Sequence, residues 1–293
     1  MDAQARRTRE ATAIVLGCDT TGSAVAHALH RAGWAVVLID DIDPSAPHRG
    51  LSFANAWYLG SAEIPGIAAC FCSSVKSIPS LLHRRDLVAA TSWSWPAVAA
   101  LVAPDVLVDT RVTDGGARGP LLARAPDGLA TIGCGHRFTA GVDVEVAVDT
   151  SHACAGRWTD AGGVSGDIDE PPLLGGVGAE RFVAAPRTGR MRTRCWIGET
   201  VDAGAIVGDV NGVPLVAAVG GVLRGLSARG ARVDAGAIVA EVDPRGVAES
   251  CHGLDERGVR VSDGVLAALE ARALSRGASV SRLHEPDAAV RRA

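Results

Sequence analysis

Ala13-Ile-Val-Leu-Gly17-Cys-Asp-Thr-Thr-Gly22 is an apolar run that ends on a glycine and passes into a short turn. In the following Ser23-Ala-Val-Ala-His-Ala-Leu-His-Arg-Ala-Gly33, positions Ala24, Val25, Ala28 and Leu29 share one side, which predicts a helix that Gly33 stops. Trp34-Ala-Val-Val-Leu-Ile39 is a second strand, closed by Asp40-Asp41. Strand, glycine turn, helix, strand and terminal acid make the βαβ layout of a dinucleotide-binding unit. Gly17, Asp19, Gly22 and Asp40 are therefore candidate cofactor-binding residues. One position departs from that layout. The middle glycine should fall at 19, where Asp19 adds bulk and negative charge beside the expected pyrophosphate at the helix N-terminus. Two readings stay open: a scaffold whose first turn binds no dinucleotide, and an NAD(P)-dependent oxidoreductase.

The same alternation continues outward. Ile67–Cys72, Leu87–Ala90 and Val106–Asp109 are short apolar runs, as expected of parallel strands buried on both faces. Segments 78–84 and 96–102 are the expected crossovers. Leu129–Ile132 opens onto Gly133-Cys-Gly-His-Arg-Phe-Thr-Ala-Gly141, and residues 142–149 alternate apolar and acidic, the pattern of a strand with one wet face. The turns at 17–22, 109–115 and 133–141 should share the strands' carboxyl edge, where ligands of such sheets sit. That adds Gly133, Gly135, Thr139 and Gly141 to the candidate cofactor-binding residues.

In the second half, Val201-Asp-Ala-Gly-Ala-Ile-Val207 recurs letter for letter as Val233-Asp-Ala-Gly-Ala-Ile-Val239. Two strand–turn–strand units that cannot each bury an apolar face alone predict one small β domain, similar to a biotinyl/lipoyl barrel-sandwich. A carrier of that type needs a lysine at the tip between the repeats. The tip here reads Gly220-Gly-Val-Leu-Arg-Gly225, and Lys76 is the sole lysine of the chain. Arg224 cannot be acylated, so biotin and lipoate are excluded. Arg224 either bonds turn carbonyls or meets an anion or a partner. Arg190, Arg192 and Arg194 alternate and would share a strand face, either solvated or in contact with an anion. Ser262-Asp263 can cap a last helix over 264–274, and a loosely ordered tail is expected from Arg276.

The predicted fold class is α/β plus β: a Rossmann-like doubly wound parallel sheet, then a biotinyl/lipoyl-like barrel-sandwich, then a C-terminal helix. The expected division is 1–155, a linker with loops at 156–185, the β domain at 186–245, and a loop, helix and tail at 246–293. With 293 residues, 47% of them hydrophobic, the chain is long enough for two cores. A net charge of -4 gives no general nucleic-acid signal. No apolar run approaches a membrane span, so a cytoplasmic protein is expected. Seven scattered cysteines fit reduced thiols better than a disulfide framework. Cys70 and Cys72 would face one side of a strand, but no second ligand pair matches them, and no metal site is assigned. His136 and Asp143 have no third partner, so no triad is assigned.

The order of motifs resembles a known family. The carrying residues are His27–Gly33, His48-Arg-Gly-Leu-Ser-Phe53, Val108-Asp109, Ile132-Gly-Cys-Gly-His-Arg-Phe-Thr-Ala-Gly-Val-Asp-Val144, Glu180-Arg-Phe-Val-Ala-Ala-Pro186, Gly221–Leu226, Val242-Asp-Pro-Arg245, Cys251 and Gly264-Val-Leu266. Together they resemble the accessory proteins of the selenium-dependent molybdenum hydroxylase system, related in role to xanthine dehydrogenase accessory proteins. The chain departs from that pattern at Asp19 and Thr20, at His48-Arg49-Gly50, at His136-Arg137 and at 255–259. The resemblance implies an accessory factor that binds molybdenum cofactor or a nucleotide at the Rossmann edge and meets a molybdenum hydroxylase client through the β domain. A non-catalytic scaffold is the remaining alternative. Because such maturation involves sulfur or selenium transfer, Cys18, Cys134 and Cys251 become candidate catalytic thiols.

Overall fold

The computed structural model describes residues 11–111, 120–164 and 171–275. Its first part runs β1 (Thr12–Leu16), α1 (Thr20–Arg31), β2 (Ala35–Ile39), α2 (Asn55–Leu59), β3 (Ser61–Ile64), β4 (Ile67–Phe71), α3 (Ile78–Leu82), β5 (Leu87–Thr91), α4 (Trp95–Val102), β6 (Val106–Asp109), α5 (Leu121–Arg124), β7 (Ala130–Cys134), β8 (Thr139–Ala140), β9 (Val146–Val148), β10 (Trp158–Thr159) and β11 (Gly162–Gly163). Nine of these strands form one sheet in the order β10-β9-β7-β6-β1-β2-β5-β4-β3. The strands from β9 to β4 in that order are parallel, while β3 and β10 close the two edges antiparallel. The chain turns back between β1 and β6, which makes their carboxyl ends the switch point of the sheet.

Alternate residues of the inner strands serve two cores. Val15, Val36 and Leu38 face α1, whereas Ile14, Leu16 and Val37 face α3 and α4. All six are essentially buried, and each such side chain contributes about 1.5–3 kcal/mol relative to exposure.

The second part contains β12 (Phe182–Ala184), β13 (Gly189–Arg192), β14 (Thr200–Val201), β15 (Ile206–Val210), β16 (Val213–Val216), β17 (Gly221–Leu226), β18 (Arg232–Val233), β19 (Ile238–Asp243) and α6 (Glu256–Ser275). Its strands make two four-stranded sheets, β12-β19-β17-β14 and β16-β15-β13-β18, with their antiparallel pairing closed over one apolar core. Each copy of the repeat is a corner. Ala205 N–H donates to the Asp202 carbonyl and Ala237 N–H to the Asp234 carbonyl, at 3.1 and 3.0 Å. Gly204 and Gly236 take the left-handed backbone the corner needs, at φ 87° and 82°. The first copy leads from β14 in one sheet to β15 in the other, and the second returns from β18 to β19.

Three expectations are corrected. The large sheet is mixed, not wholly parallel, because β3 returns directly into β4 and β10 pairs back onto β9. The 142–149 stretch is a strand only over Val146–Val148, because Asp143 N–H and Val142 N–H both bond the Thr139 carbonyl and fold the start of the stretch into a turn. The expected tip at 220–225 is largely strand β17, paired to β14 and β19, so it is not the hairpin end of a carrier domain. The tight hairpin lies at Asn211-Gly212, between β15 and β16, where both residues have positive φ.

The last helix also starts earlier than the Ser262-Asp263 signal predicts. Asp255 accepts from Gly258 N–H at 3.2 Å and caps it, while Ser262 donates its hydroxyl to the Val259 carbonyl. Helix α6 packs on α1 and the large sheet through Val261, Val265 and Leu269. Glycines permit the close approach: a methyl at Gly258 would lie 3.0 Å from the Ala24 Cβ, and one at Gly264 only 2.2 Å from the Gly156 carbonyl oxygen. The tail from Arg276, residues 112–115 of the expected edge turn and residues 165–170 of the expected linker lie outside the described residues. Among the described residues no helix is long and apolar enough to cross a membrane.

Candidate functional site

The glycine turn after β1 is filled by its own neighbours. Asp19 is the N-cap of α1, and its carboxylate accepts from Gly22 N–H at 2.9 Å. Asp40, at the end of β2, accepts from Cys18 N–H at 2.6 Å and from Asp41 N–H at 2.7 Å. Thr110 donates its hydroxyl to the Leu16 carbonyl and sits where a side chain on Gly17 or Gly22 would go. A methyl at Gly22 would come within 1.9 Å of the Gly17 carbonyl oxygen. Both glycines are thus required by strand–helix packing. The carboxylate at 19 takes an amide that a pyrophosphate would need, which removes the physical basis of the NAD(P) reading.

Burial raises the pKa values of both Asp19 and Asp40, partly opposed by the backbone N–H groups they accept from. Burial also pushes the Cys18 thiol well up, helped by the Asp40 carboxylate. Cys134 is buried at the end of β7 and its thiol is likewise raised, first by burial and then by Asp109. Cys251 is buried below β17, its sulfur 3.7 Å from the Leu223 carbonyl oxygen, and burial raises it too. These surroundings oppose the thiolate that nucleophilic chemistry requires. Cys72 bonds the Ser74 carbonyl, and all seven cysteines are unpaired. Among the described residues no group of three or more His, Cys, Asp or Glu side chains is arranged to hold a metal.

At the switch point the chemistry shifts from the glycine turn to two arginines. Asp109, at the end of β6, is 3% exposed. Arg111 grips it with two bonds, Nε at 2.9 Å and Nη2 at 2.7 Å. Burial alone would lower the Arg111 pKa, but the Asp109 carboxylate more than restores it. Arg137 approaches from the loop after β7, its Nη2 3.2 Å from Asp109 Oδ2. That contact has ion-pair distance without hydrogen-bond alignment, and the buried Nε and Nη2 of Arg137 have no acceptor. The guanidinium lies 4.2 Å from the centre of the Phe138 ring, and the ring itself fills the space over Gly133. Gly135 and Gly141 have positive φ, and Thr139 N–H donates to Asp143 at 2.9 Å, so those candidates shape the loop that presents Arg137. Arg111 and Arg137 were not singled out in the sequence. The usable signal was a basic residue in a glycine-rich loop on the same edge as a buried strand-end acid.

Arg224 lies elsewhere, among groups it binds within the molecule. It meets Glu241 at 2.9 Å, Asp255 at 3.4 Å and the Ser250 carbonyl at 3.3 Å. Glu241, 1% exposed, also receives Arg181 at 2.8 Å and His48. Burial would raise the Glu241 pKa, but His48 and the two guanidiniums hold it at about 2. Arg190 and Arg192 on β13, and Arg194 beyond its end, are exposed. Arg190 reaches Asp43 at 3.2 Å and the Gly230 carbonyl at 2.7 Å.

Comparison with known proteins adds the following. No family model matches the chain. The "Uncharacterized protein YqeB" of Escherichia coli (strain K12) is 27% identical over 262 residues, 87% of this chain and 47% of that protein. The chain thus spans about half the length of this relative. Among solved structures, the succinylglutamate desuccinylase/aspartoacylase of Rhodobacter sphaeroides is 15% identical with a TM-score of 0.20, over 74% of this chain and 61% of that one. An aspartoacylase family protein of Mesorhizobium loti is 8% identical with a TM-score of 0.24, over 80% and 84%.

The resemblance to the molybdenum hydroxylase accessory proteins is not supported by these comparisons. The names of the relative and of the two solved structures above do not refer to a molybdenum or selenium system. The accessory role is withdrawn with the client, the cofactor and the sulfur or selenium chemistry it implied, and the NAD(P) and scaffold alternatives are not carried forward. The biotinyl/lipoyl label for the β layers is withdrawn as well, because the segment expected as the carrier tip is strand β17, paired on both sides. TM-scores of 0.20 to 0.24 are too low to bring the neighbours' reaction to this chain.

Proposed function

We propose that this chain binds a small acidic molecule, through its carboxylate or phosphate, at the switch point of the large sheet between Arg111 and Arg137. The observation that carries the reading is Arg137, whose Nε and Nη2 are buried without an acceptor although Asp109 is close by. Unsatisfied buried donors are costly, and a guanidinium edge is matched by a two-oxygen anion. Asp109 holds both guanidiniums at this edge, and Phe138 stacks against that of Arg137.

Thermal unfolding in the presence of inorganic phosphate, acetate and succinate tests the reading. A carboxylate or phosphate that binds should raise the Tm of the wild-type protein in a saturable way. The rise should vanish in Arg137→Ala and shrink in Arg137→Lys, which keeps the charge and loses the planar fork. Equal rises in all three proteins, or none in any, would contradict it.

A further inference from the structure

The outer face of the sheet β16-β15-β13-β18 carries a group of exposed arginines. Arg190 and Arg192 are two residues apart on β13, so they share one side, about 6–7 Å from each other along the strand. Arg232 on β18 stands directly opposite Arg190. Arg194 continues the alternation beyond the end of β13, and Arg229 lies just before β18. All five are exposed.

Like charges directly opposed on neighbouring strands destabilise the pair. Arg190 is answered by Asp43 at 3.2 Å and by the Gly230 carbonyl at 2.7 Å. The side chains of Arg192, Arg194, Arg229 and Arg232 have no hydrogen-bond or ion-pair partner among the described residues. Asp209, across from Arg192 on β15, instead accepts from Gly212 N–H at 2.7 Å, and Asp234 follows β18 exposed. Trp196, two residues past Arg194, is 75% exposed, while its backbone N–H is held by Glu199 at 2.8 Å. Arginine together with an uncovered tryptophan is the composition of protein-binding hot spots.

We infer that this face docks an acidic segment of a partner protein, bound extended with carboxylates at alternate residues. An extended segment has the same two-residue repeat as β13, so its successive carboxylates reach Arg190, Arg192 and Arg194 in register. Each guanidinium can fork onto a carboxylate, and Trp196 meets an apolar side chain between them. The net charge of -4 favours such a partner over a nucleic acid: a long polyanion gains nothing from the chain beyond the arginines, whereas a short acidic segment stays on them. This face is separate from the Arg137 edge, and either reading can fail without the other.

Fluorescence anisotropy on the full chain tests it, with labelled Glu-Val-Glu-Val-Glu-Val and with the same composition in blocks, Glu-Glu-Glu-Val-Val-Val. The alternating peptide should bind saturably, about tenfold more tightly than the blocked one, and should weaken as salt is added. Arg192→Ala and Trp196→Ala should each lower its affinity about tenfold. Arg232→Ala should lower affinity while holding or raising the Tm, because it removes the opposed charge. Arg137→Ala, and Arg260→Ala at an exposed position on α6, should bind as the wild type does. No binding, equal affinity for the two peptides, wild-type affinity in Arg192→Ala, or tighter binding of a labelled thymidine oligonucleotide would overturn the inference.

Discussion

Asp19 shows how one residue changes the meaning of a motif. A glycine there would leave the first amides of α1 open to a phosphate; the carboxylate takes one of them for itself. Gly17 and Gly22 remain indispensable for packing alone. Gly22→Ala would drive a methyl into the Gly17 carbonyl, and such overpacking against backbone costs about 1–3 kcal/mol or more. Urea denaturation should therefore show a clear loss of stability, and an unchanged midpoint would contradict the packing account. Asp19→Asn keeps an N-cap oxygen and removes a buried charge whose pKa is raised, so it should be neutral or stabilising at pH 7, with the gain shrinking as the pH falls. Stability measured against pH for both proteins checks the sign.

At the scale of elements, the inner strands were legible because short apolar runs between turns have few other solutions. The runs at 13–17, 67–72, 87–90 and 106–109 emerged as β1 (Thr12–Leu16), β4 (Ile67–Phe71), β5 (Leu87–Thr91) and β6 (Val106–Asp109) of the large sheet. The antiparallel edges were not legible: β3 (Ser61–Ile64) and β10 (Trp158–Thr159) are short and partly exposed, so their pattern is weak. The repeat was visible as letters but not as geometry. Identical corners lead into different sheets because the partners of each strand lie far away in sequence. Asn211-Gly212 carried a strong hairpin signal that the more conspicuous Gly220–Gly225 overshadowed. For α6, periodicity gave the apolar face, but Asp255 as its cap depends on where the chain arrives. In a free helix Gly264→Ala would gain about 1 kcal/mol of propensity; against the Gly156 carbonyl oxygen 2.2 Å away, the clash outweighs it. Calorimetry should give a lower Tm, and a higher one would mean that α6 is not packed this closely.

At the scale of the whole molecule, Glu241 joins the two parts. It gathers His48 from the first with Arg181 and Arg224 from the second, while Arg224 continues to the cap of α6. Its folded pKa of about 2, below the usual 4.5, means its contribution is complete above pH 4.5 and is lost as the pH falls toward 2. That contribution is about 3 kcal/mol. Asp19 and Asp40, with raised values, act on the acid limb with the opposite sign. Glu241→Gln should remove this pH dependence and cost about 3–5 kcal/mol at neutral pH, because Arg181 and Arg224 lose a buried counter-charge. Parallel stability curves for the two proteins would contradict that.

None of this long-range convergence is written in local pattern, and the same holds for the switch point, where residues 109, 111 and 137 meet. The central claim is that recognition at this edge runs through Arg137 while the glycine turn is closed. Isothermal titration of the wild-type and Arg137→Ala proteins with succinate and with inorganic phosphate tests it most directly. The account predicts a saturable isotherm for the wild type with at least one of the two, weakened about tenfold or more in Arg137→Ala. Identical isotherms for the two proteins, or no binding of either anion, would contradict it.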